Sequence, residues 1–450
     1  MSANIFTRFK SFYFIGMGGV SMSALAEYVL SLKKKVGGSD RDLSALAKLK
    51  SMGAETDGGP RVLENYEVII YTDAVRRDDP ELKLARKLNK LILSRGRFLK
   101  EVSSDFGEVI AVCGCHGKTT TTAMLASVFR AAGKKFGAHI GGNAAGFGNF
   151  YCNGNDFFIT EACEYKKNFL YLRPDTAVVL NTDPDHLECY KGEEDLKNCY
   201  RRFASRAQTA VVPYKDDLFL AGSDKNKCLK NLQTFGGRGA DFYAENVCDN
   251  QGFYSFELNA FGKNCGKISL TVPGGHNVNN ALAVAAAAMA EGINFECVKR
   301  GLEEFEGVER RMQMLGRING ARYVADYAHH PSEISASLKT AQAITRGRLY
   351  VVFQPHTYSR TKNLFPQFVS VLSGVRRLLI YRTYAAREYF DDGGSALTLA
   401  KAVGGSRYGD RPEDIIKFAS SAKDGDTVLF LGAGDIYFIA RSLISDSVKN

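Results

Sequence analysis

No stretch of the 450 residues carries enough consecutive apolar side chains to cross a bilayer as a helix, which takes about 20 of them. The alanine-rich run from Ala281 to Ala290 comes nearest and is too short, so no membrane insertion is expected. A cleavable leader is not expected either. Arg8 and Lys10 precede an apolar run, but Gly16, Gly18 and Gly19 interrupt it and no small-residue cleavage site follows. The ten cysteines form no C-x-x-C pair, which points away from zinc and dithiol motifs and toward free thiols in a reducing compartment. A cytoplasmic location is expected on that ground. No RNA- or DNA-binding motif accompanies the net charge of +10, and the basic residues are dispersed, so no nucleic-acid partner is expected. Anionic small substrates explain the bias equally well, as does solubility alone.

What is present is an ordinary globular composition, 45% hydrophobic and 24% charged, in a chain too long for one core. Short apolar strands alternate with helical patterns throughout, which predicts an α/β fold with mainly parallel sheets covered by helices. Residues 1–104 hold strands at Phe12 to Ile15 and Val68 to Tyr71. Residues 105–307 hold strands at Phe157 to Thr160 and Ala177 to Leu180 and a helix from Asn279 to Glu291, with a small antiparallel insertion expected over about 208–272. Residues 308–450 hold strands at Arg322 to Ala325, Leu349 to Phe353, Leu378 to Tyr381 and Val428 to Leu431.

The strongest local signal is Gly114-Cys115-His116-Gly117-Lys118-Thr119-Thr120. An apolar strand, Val109 to Cys113, leads into it, and a helical face of Met124, Leu125, Val128, Phe129 and Ala132 leads out, with Gly133 as stop signal. Strand, glycine-rich turn, Lys-Thr and helix form an arrangement that holds nucleotide phosphates on backbone N–H groups, with the lysine adding charge and the threonine reaching Mg²⁺. The spacing G-x-x-G-K-T is two residues shorter than the usual P-loop.

Other polar clusters also sit just after strands, where open parallel sheets bind ligands. Glu161 is a candidate Mg²⁺ ligand or a helix N-terminal acid. Asp183, Asp185 and His186 form either a ligand group or an Asx-type turn ended by Pro184. Asn277 and Asn280, three residues apart, suit a purine or ribose, or cap the helix that follows. Gly16-Met17-Gly18-Gly19 with Asp40 has the outline of a dinucleotide turn, but Ser21 stands where the third glycine of G-x-G-x-x-G belongs. All seven histidines (His116, His139, His186, His276, His329, His330 and His356) fall in loop-like or glycine-rich contexts.

Taken together these strings resemble the Mur ligases of peptidoglycan synthesis over nearly the whole chain. They are Phe14 to Ser23, Gly114 to Thr122, Glu161-Ala162-Cys163-Glu164-Tyr165, His276-Asn277-Val278, Arg310-Arg311, Asp326-Tyr327-Ala328-His329-His330-Pro331, Phe353 to Thr361, and Tyr384 to Glu388. The resemblance implies three domains: an N-terminal Rossmann-like UDP-binding domain (1–104), a central P-loop-type ATPase (105–307) and a C-terminal Rossmann-like amino-acid-binding domain (308–450). It also implies the reaction. The lactyl carboxylate of UDP-N-acetylmuramate attacks ATP, and the resulting acyl phosphate is captured by the amine of L-alanine. The two-histidine string and the Gln354-Pro355-His356-Thr357-Tyr358-Ser359-Arg360 string are those of the alanine-adding branch.

Carried over residue by residue, the resemblance implies ATP contacts from Gly114 to Thr120, Asn277, Asn280 and Asp326. It implies catalytic roles for Lys118, His186 and Arg311, less so Arg310, and two Mg²⁺ ions held by Thr119, Glu161 and His186. Gly18, Gly19, Ser39 and Asp40 would hold the UDP moiety. Tyr327, His329, His356 and Arg360 would line the alanine pocket, with Arg360 pairing bidentately with the carboxylate. A monomer or weak homodimer is expected, and no carbamylated lysine. Cys115 stands where the family most often has threonine, and Thr72-Asp73 where serines are common. Competing readings are a recycling ligase that adds a peptide to the same nucleotide sugar, a nicotinamide-dependent oxidoreductase, and a non-catalytic nucleotide sensor. Lys118→Ala is expected to abolish ligation with folding intact.

Overall fold

Aromatic and β-branched runs build the first sheet. In the computed structural model, which describes residues 4–56, 59–183, 189–214, 216, 231–386 and 388–449, strand β1 (Ser11–Ile15) is buried along its length. It lies between β2 (Lys35–Ser39) and β3 (Val68–Tyr71), and β4 (Leu91–Ser94) pairs outside β3, all in parallel. Both faces are covered, as parallel sheets require. Phe12, Phe14 and Phe98 pack on one side and Tyr13, Ile15 and Tyr66 on the other.

The second sheet has ten strands: β5 (Glu108–Cys113), β6 (Phe136–Ala144), β7 (Gly148–Cys152), β8 (Phe157–Glu161), β9 (Thr176–Val179), β10 (Thr209–Pro213), β11 (Asn231–Gly236), β12 (Phe242–Asn250), β13 (Phe253–Ala260) and β14 (Lys263–Ser269). Their order across the sheet is 14-13-12-11-10-9-5-8-6-7, so β5 is central, between β8 and β9. The antiparallel insertion expected over 208–272 is therefore corrected. β10 and β11 pair in parallel and extend the central sheet. Only its outer strands are hairpins, closed by the tight turns Gln251-Gly252 and Phe261-Gly262, with φ of 53° and 83° and of 50° and 76°. Positive φ at both central residues is the turn geometry that matches strand twist.

The third sheet runs β15 (Gln313–Ile318), β16 (Ala321–Asp326), β20 (Thr427–Leu431), β17 (Leu349–Phe353), β18 (Leu378–Tyr381), β19 (Arg407–Gly409). All its pairs are parallel except the edge pair β15–β16. By packing, the chain divides into two compact units. The first is Met1–Glu245, Glu257–Ile268 and Asn279–Phe305, and the second is Asn246–Phe256, Ser269–Val278 and Glu306–Asn450. The first two sheets thus share most of one unit. No helix among the described residues is long and apolar enough to cross a membrane.

Candidate active site

The phosphate loop leaves the central strand β5 and enters the helix Lys118–Ala131. Two glycines permit it. Gly114 has φ +131° and Gly117 φ +86°, and a Cβ on Gly117 would lie 2.8 Å from Asn280 Oδ1. Asn181, just past β9, fastens the loop at both ends of one residue: its Oδ1 accepts from the His116 N–H and its Nδ2 donates to the His116 carbonyl, each at 3.0 Å. The Cys115 thiol lies 3.2 Å from His116 Nε2. Thr119 is buried in the first turn of the helix.

Lys118 Nζ donates to the Cys115 carbonyl at 3.0 Å and lies 3.1 and 3.0 Å from the two oxygens of Glu164, whose side chain is 2% exposed. Burial works to lower the lysine's pKa, but the Glu164 carboxylate outweighs it and holds the pKa above the ordinary value. Glu164 was legible only as part of a motif string, because a partner 46 residues away carries no local signal.

Glu161 ends β8, opposite Val112 of β5. Its carboxylate accepts from the Gly141 N–H at 2.5 Å, in a cradle that a Cβ on Gly141 would fill, 2.5 Å from both oxygens. One strand away, His139 is in mid-strand, in the glycine-rich stretch Gly137 to Gly142. Its Nε2 lies 2.9 Å from Ser21 Oγ and its Nδ1 3.0 Å from Thr160 Oγ1. Burial, then Arg95, pulls its pKa down to about 3. Ser21, read from sequence as a missing glycine, is thus a hydrogen-bonding residue.

The other turn of the first unit brings Gly18, Gly19, Ser39 and Asp40 together at the carboxyl ends of β1 and β2. The Gly18 N–H donates to Asp40 Oδ2 at 2.8 Å, and Ser39 Oγ donates to Glu81 Oε2 at 2.6 Å. Gly19 caps the helix Val20–Ser31. Asp73 accepts from Asn168 Nδ2 at 2.7 Å, and its carbonyl accepts from Lys166 Nζ at 2.9 Å. Lys166 and Lys167 have φ of 50° and 59°, a left-handed backbone that non-glycine residues adopt at a cost. Lys167 also pairs with Asp195 at 2.7 Å.

In the second unit, the ends of β16, β17 and β18 bring together the residues expected at an amino-acid pocket. Tyr327 and His329 meet edge to face at 5.3 Å, His329 and His356 lie 5.7 Å apart, and His356 stacks on Tyr384 at 5.6 Å. The tautomers follow from the partners. His329 Nδ1 is 3.0 Å from the Tyr327 carbonyl, which only accepts, so Nδ1 carries the proton and Nε2 the lone pair. His356 Nδ1 is 3.3 Å from Arg360, which only donates, so here Nε2 carries the proton. Burial lowers the pKa of both rings, that of His356 to about 4 with help from His329 and Arg360. His330 does not join them. It caps the helix Pro331–Ile344 in a capping box with Glu333. Tyr384 is the member that sequence reading left unassigned.

Asp326 ends β16, where it accepts from the N–H groups of Met312 (3.1 Å) and Ala328 (2.9 Å). Burial raises its pKa to about 6 against the pull of Arg311. Arg310 donates to the Gly434 carbonyl at 2.9 Å and lies over Tyr327 and Tyr437, and Arg311 lies 5.2 Å from the Tyr327 ring centre. Asn277, inside the first turn of the helix His276–Ala290, donates its Nδ2 to the Pro273 carbonyl at 2.8 Å, and Asn280 belongs to the first unit beside Gly117. A cavity of about 330 Å³ lies beside His276, kept open by Gly274 and Gly275. Asp185 and His186 lie outside the described residues, so the proposed His186 ligand has no place in this geometry.

The chain matches known domain families in three segments: the Mur ligase family catalytic domain over residues 11–107, the Mur ligase middle domain over 112–288, and the Mur ligase glutamate ligase domain over 310–434. It is 38% identical to the UDP-N-acetylmuramate–L-alanine ligase of Clostridium acetobutylicum, with 97% of this chain and 98% of the relative covered. The ligase of the same name from Acetivibrio thermocellus is 36% identical, over 98% and 96%. Among solved structures, the UDP-N-acetylmuramate–alanine ligase of Thermotoga maritima superposes with a TM-score of 0.84 at 27% identity, covering 98% of this chain and 99% of that one. A murein peptide ligase from Psychrobacter arcticus shares the fold, with a TM-score of 0.72 at 22% identity and 97% and 98% coverage. With three successive domains matched and relatives this similar from end to end, the chain belongs to the Mur ligase family.

Proposed function

We infer that this protein joins L-alanine to the lactyl carboxylate of UDP-N-acetylmuramate at the expense of ATP, through an acyl phosphate, in the synthesis of peptidoglycan precursors. The observation that carries the choice of amino acid is the close set of Tyr327, His329, His356 and Arg360, coupled with end-to-end similarity to alanine-adding relatives. The division into UDP-binding (1–104), ATP-binding (105–307) and amino-acid-binding (308–450) domains belongs to this reading, as do a cytoplasmic location and a monomer or weak homodimer.

The loop from Gly114 to Thr120 presents backbone N–H groups and Lys118 to the ATP phosphates, and phosphoryl transfer needs little beyond such positioning and charge neutralisation. Thr119, in the first turn of the helix that follows β5, and Glu161, at the end of the neighbouring strand β8, are hard oxygen donors, a donor set that fits Mg²⁺. With His186 completing the set by resemblance, two Mg²⁺ ions bound there would neutralise charge on the phosphates and the attacking carboxylate. Asn277, Asn280, Arg311 and Asp326 are assigned to the nucleotide by the same resemblance, and Gly18, Gly19, Ser39 and Asp40 to UDP. Attack on the acyl phosphate requires a neutral amine. We assign the ammonium proton to His329, whose Nε2 carries the lone pair at neutral pH, while the burial that keeps the ring neutral also weakens it as a base. Arg360 pairs with the alanine carboxylate.

The test is phosphate release by the purified protein with ATP, Mg²⁺ and UDP-N-acetylmuramate against a panel of amino acids and a cell-wall tripeptide. Release that depends on L-alanine is expected. Release that requires the tripeptide and ignores L-alanine would replace this reading with the recycling reaction.

A further inference from the structure

His139 is a buried titratable group that the mechanism above leaves without a task, and its surroundings form a chain of hydrogen bonds. Thr160 Oγ1 lies 3.2 Å from the Glu161 carbonyl, which can only accept, so the Thr160 hydroxyl donates to it. That leaves Thr160 Oγ1 to accept from His139 Nδ1–H at 3.0 Å, and His139 Nε2 to accept from the Ser21 hydroxyl at 2.9 Å. In the Nδ1–H tautomer the donors run one way, Ser21 to His139 to Thr160 to the backbone of Glu161, and the Ser21 backbone, which pulls the ring's pKa up, is the one contact that favours a proton on the Ser21 side. Chains with a single direction polarise and stiffen one another.

The two ends of this chain are the two places that the reaction must align. Ser21 lies in the first turn of the helix capped by Gly19, beside the turn assigned to UDP. The same helix start is held a second time, by Asn149 Nδ2 donating to the Val20 carbonyl at 2.9 Å and to Ser23 Oγ at 2.8 Å. At the other end, β6 grips β8 twice. His139 stands opposite Thr160 in register, and Gly141, two residues on, donates to the Glu161 carboxylate.

We propose that His139 is a positioning residue that locks the UDP-sugar turn, through Ser21, to the strand end that carries Glu161, through Thr160. This rests on the functional reading above. The carboxylate that attacks ATP is covalently tethered to UDP, so its distance from the phosphate loop depends on this link, and a small misplacement is expensive in rate.

The experiment is a cycle of Ser21→Ala, His139→Asn and the double variant in the full-length protein, read by kinetics and by nitrogen chemical shifts of the His139 ring in wild type. Asparagine places an amide nitrogen near the Nδ1 position and keeps the Thr160 link while dropping Ser21. Each single variant is expected to lower kcat roughly tenfold with ATP affinity unchanged. The double variant falls no further than His139→Asn alone. The wild-type ring is expected as the neutral Nδ1–H tautomer. An Nε2–H tautomer, losses that multiply in the double variant, or variants that lose thermal stability with wild-type kcat would overturn the proposal. Failure of the functional reading looks different: wild type itself would show no alanine-dependent phosphate release while the ring still reports the Nδ1–H tautomer.

Discussion

In the first unit a largely buried lysine sits 3.0 Å from a buried carboxylate, on a loop of seven contiguous residues. In the second, two neutral imidazoles, two tyrosines and an arginine come from three strand ends and pack against one another. The first is a charged device fixed by backbone geometry. The second is a largely uncharged one fixed by ring packing and by the choice of tautomer. The difference teaches where each is fragile. Removing a member of the ion pair strands a charge, while altering the ring cluster changes recognition and leaves the fold in place.

The sharpest way to break that contrast is Lys118→Ala. Ligation is expected to fall by roughly a thousandfold, measured as phosphate release. The sequence alone led us to expect intact folding, and Glu164 revises this. An unpaired buried carboxylate costs about 3–5 kcal/mol, so urea unfolding should show a large loss that adding Glu164→Gln recovers without recovering activity.

Arg360→Lys tests the other device. Lysine keeps the charge but loses the planar fork and the contact with His356 Nδ1. The KM for L-alanine should rise about tenfold or more, as for a lost charged hydrogen bond, with ATP affinity and thermal stability unchanged. Gly117→Ala returns to the loop on a smaller scale. At φ +86° the new side chain is strained by about 1–2 kcal/mol and meets Asn280 Oδ1, so the KM for ATP should rise while the KM for alanine holds.

The smallest effect separates the units by pH. His139 and His356 have folded pKa values near 3 and 4, below an unfolded value of about 6.5. Unfolded chains then bind more protons, so this stability is present above about pH 6.5 and is lost as pH falls toward those values. Asp326, raised to about 6, acts in the opposite sense: its share is present at low pH and is lost as pH rises through 6. Glu291, raised to about 7 by burial, acts in the same sense as Asp326, so the histidine share is read by difference: between pH 7 and 5, thermal melts of His356→Gln should lose less stability with falling pH than those of the wild type.

Where the sequence spoke clearly, the signal was contiguous. The phosphate loop announces itself because strand, turn and helix are adjacent in the chain, and β1, β3, β17, β18 and β20 stand out as mainly apolar runs. What stayed hidden depends on partners distant in sequence. Glu164 acquires its meaning from Lys118, Ser21 from His139, and Tyr384 from His356, each across a fold that periodicity cannot reveal. The extent of the central sheet was hidden for a similar reason: the segment after Thr209 has the alternation of a small hairpin domain, and only the parallel register of β10 on β9 shows it to be a continuation.

The left-handed pair Lys166-Lys167 has an evolutionary consequence. These positions carry lysine where glycine or asparagine would relax the backbone, with one side chain tied to the Asp73 carbonyl and the other to Asp195. Drift there is filtered by backbone shape before it is filtered by charge. Branched residues are excluded whatever their polarity, while Asn is tolerated even though it breaks an ion pair. A library randomised at these two codons should return that asymmetric spectrum, and its most thermostable members should be those that surrender the lysines.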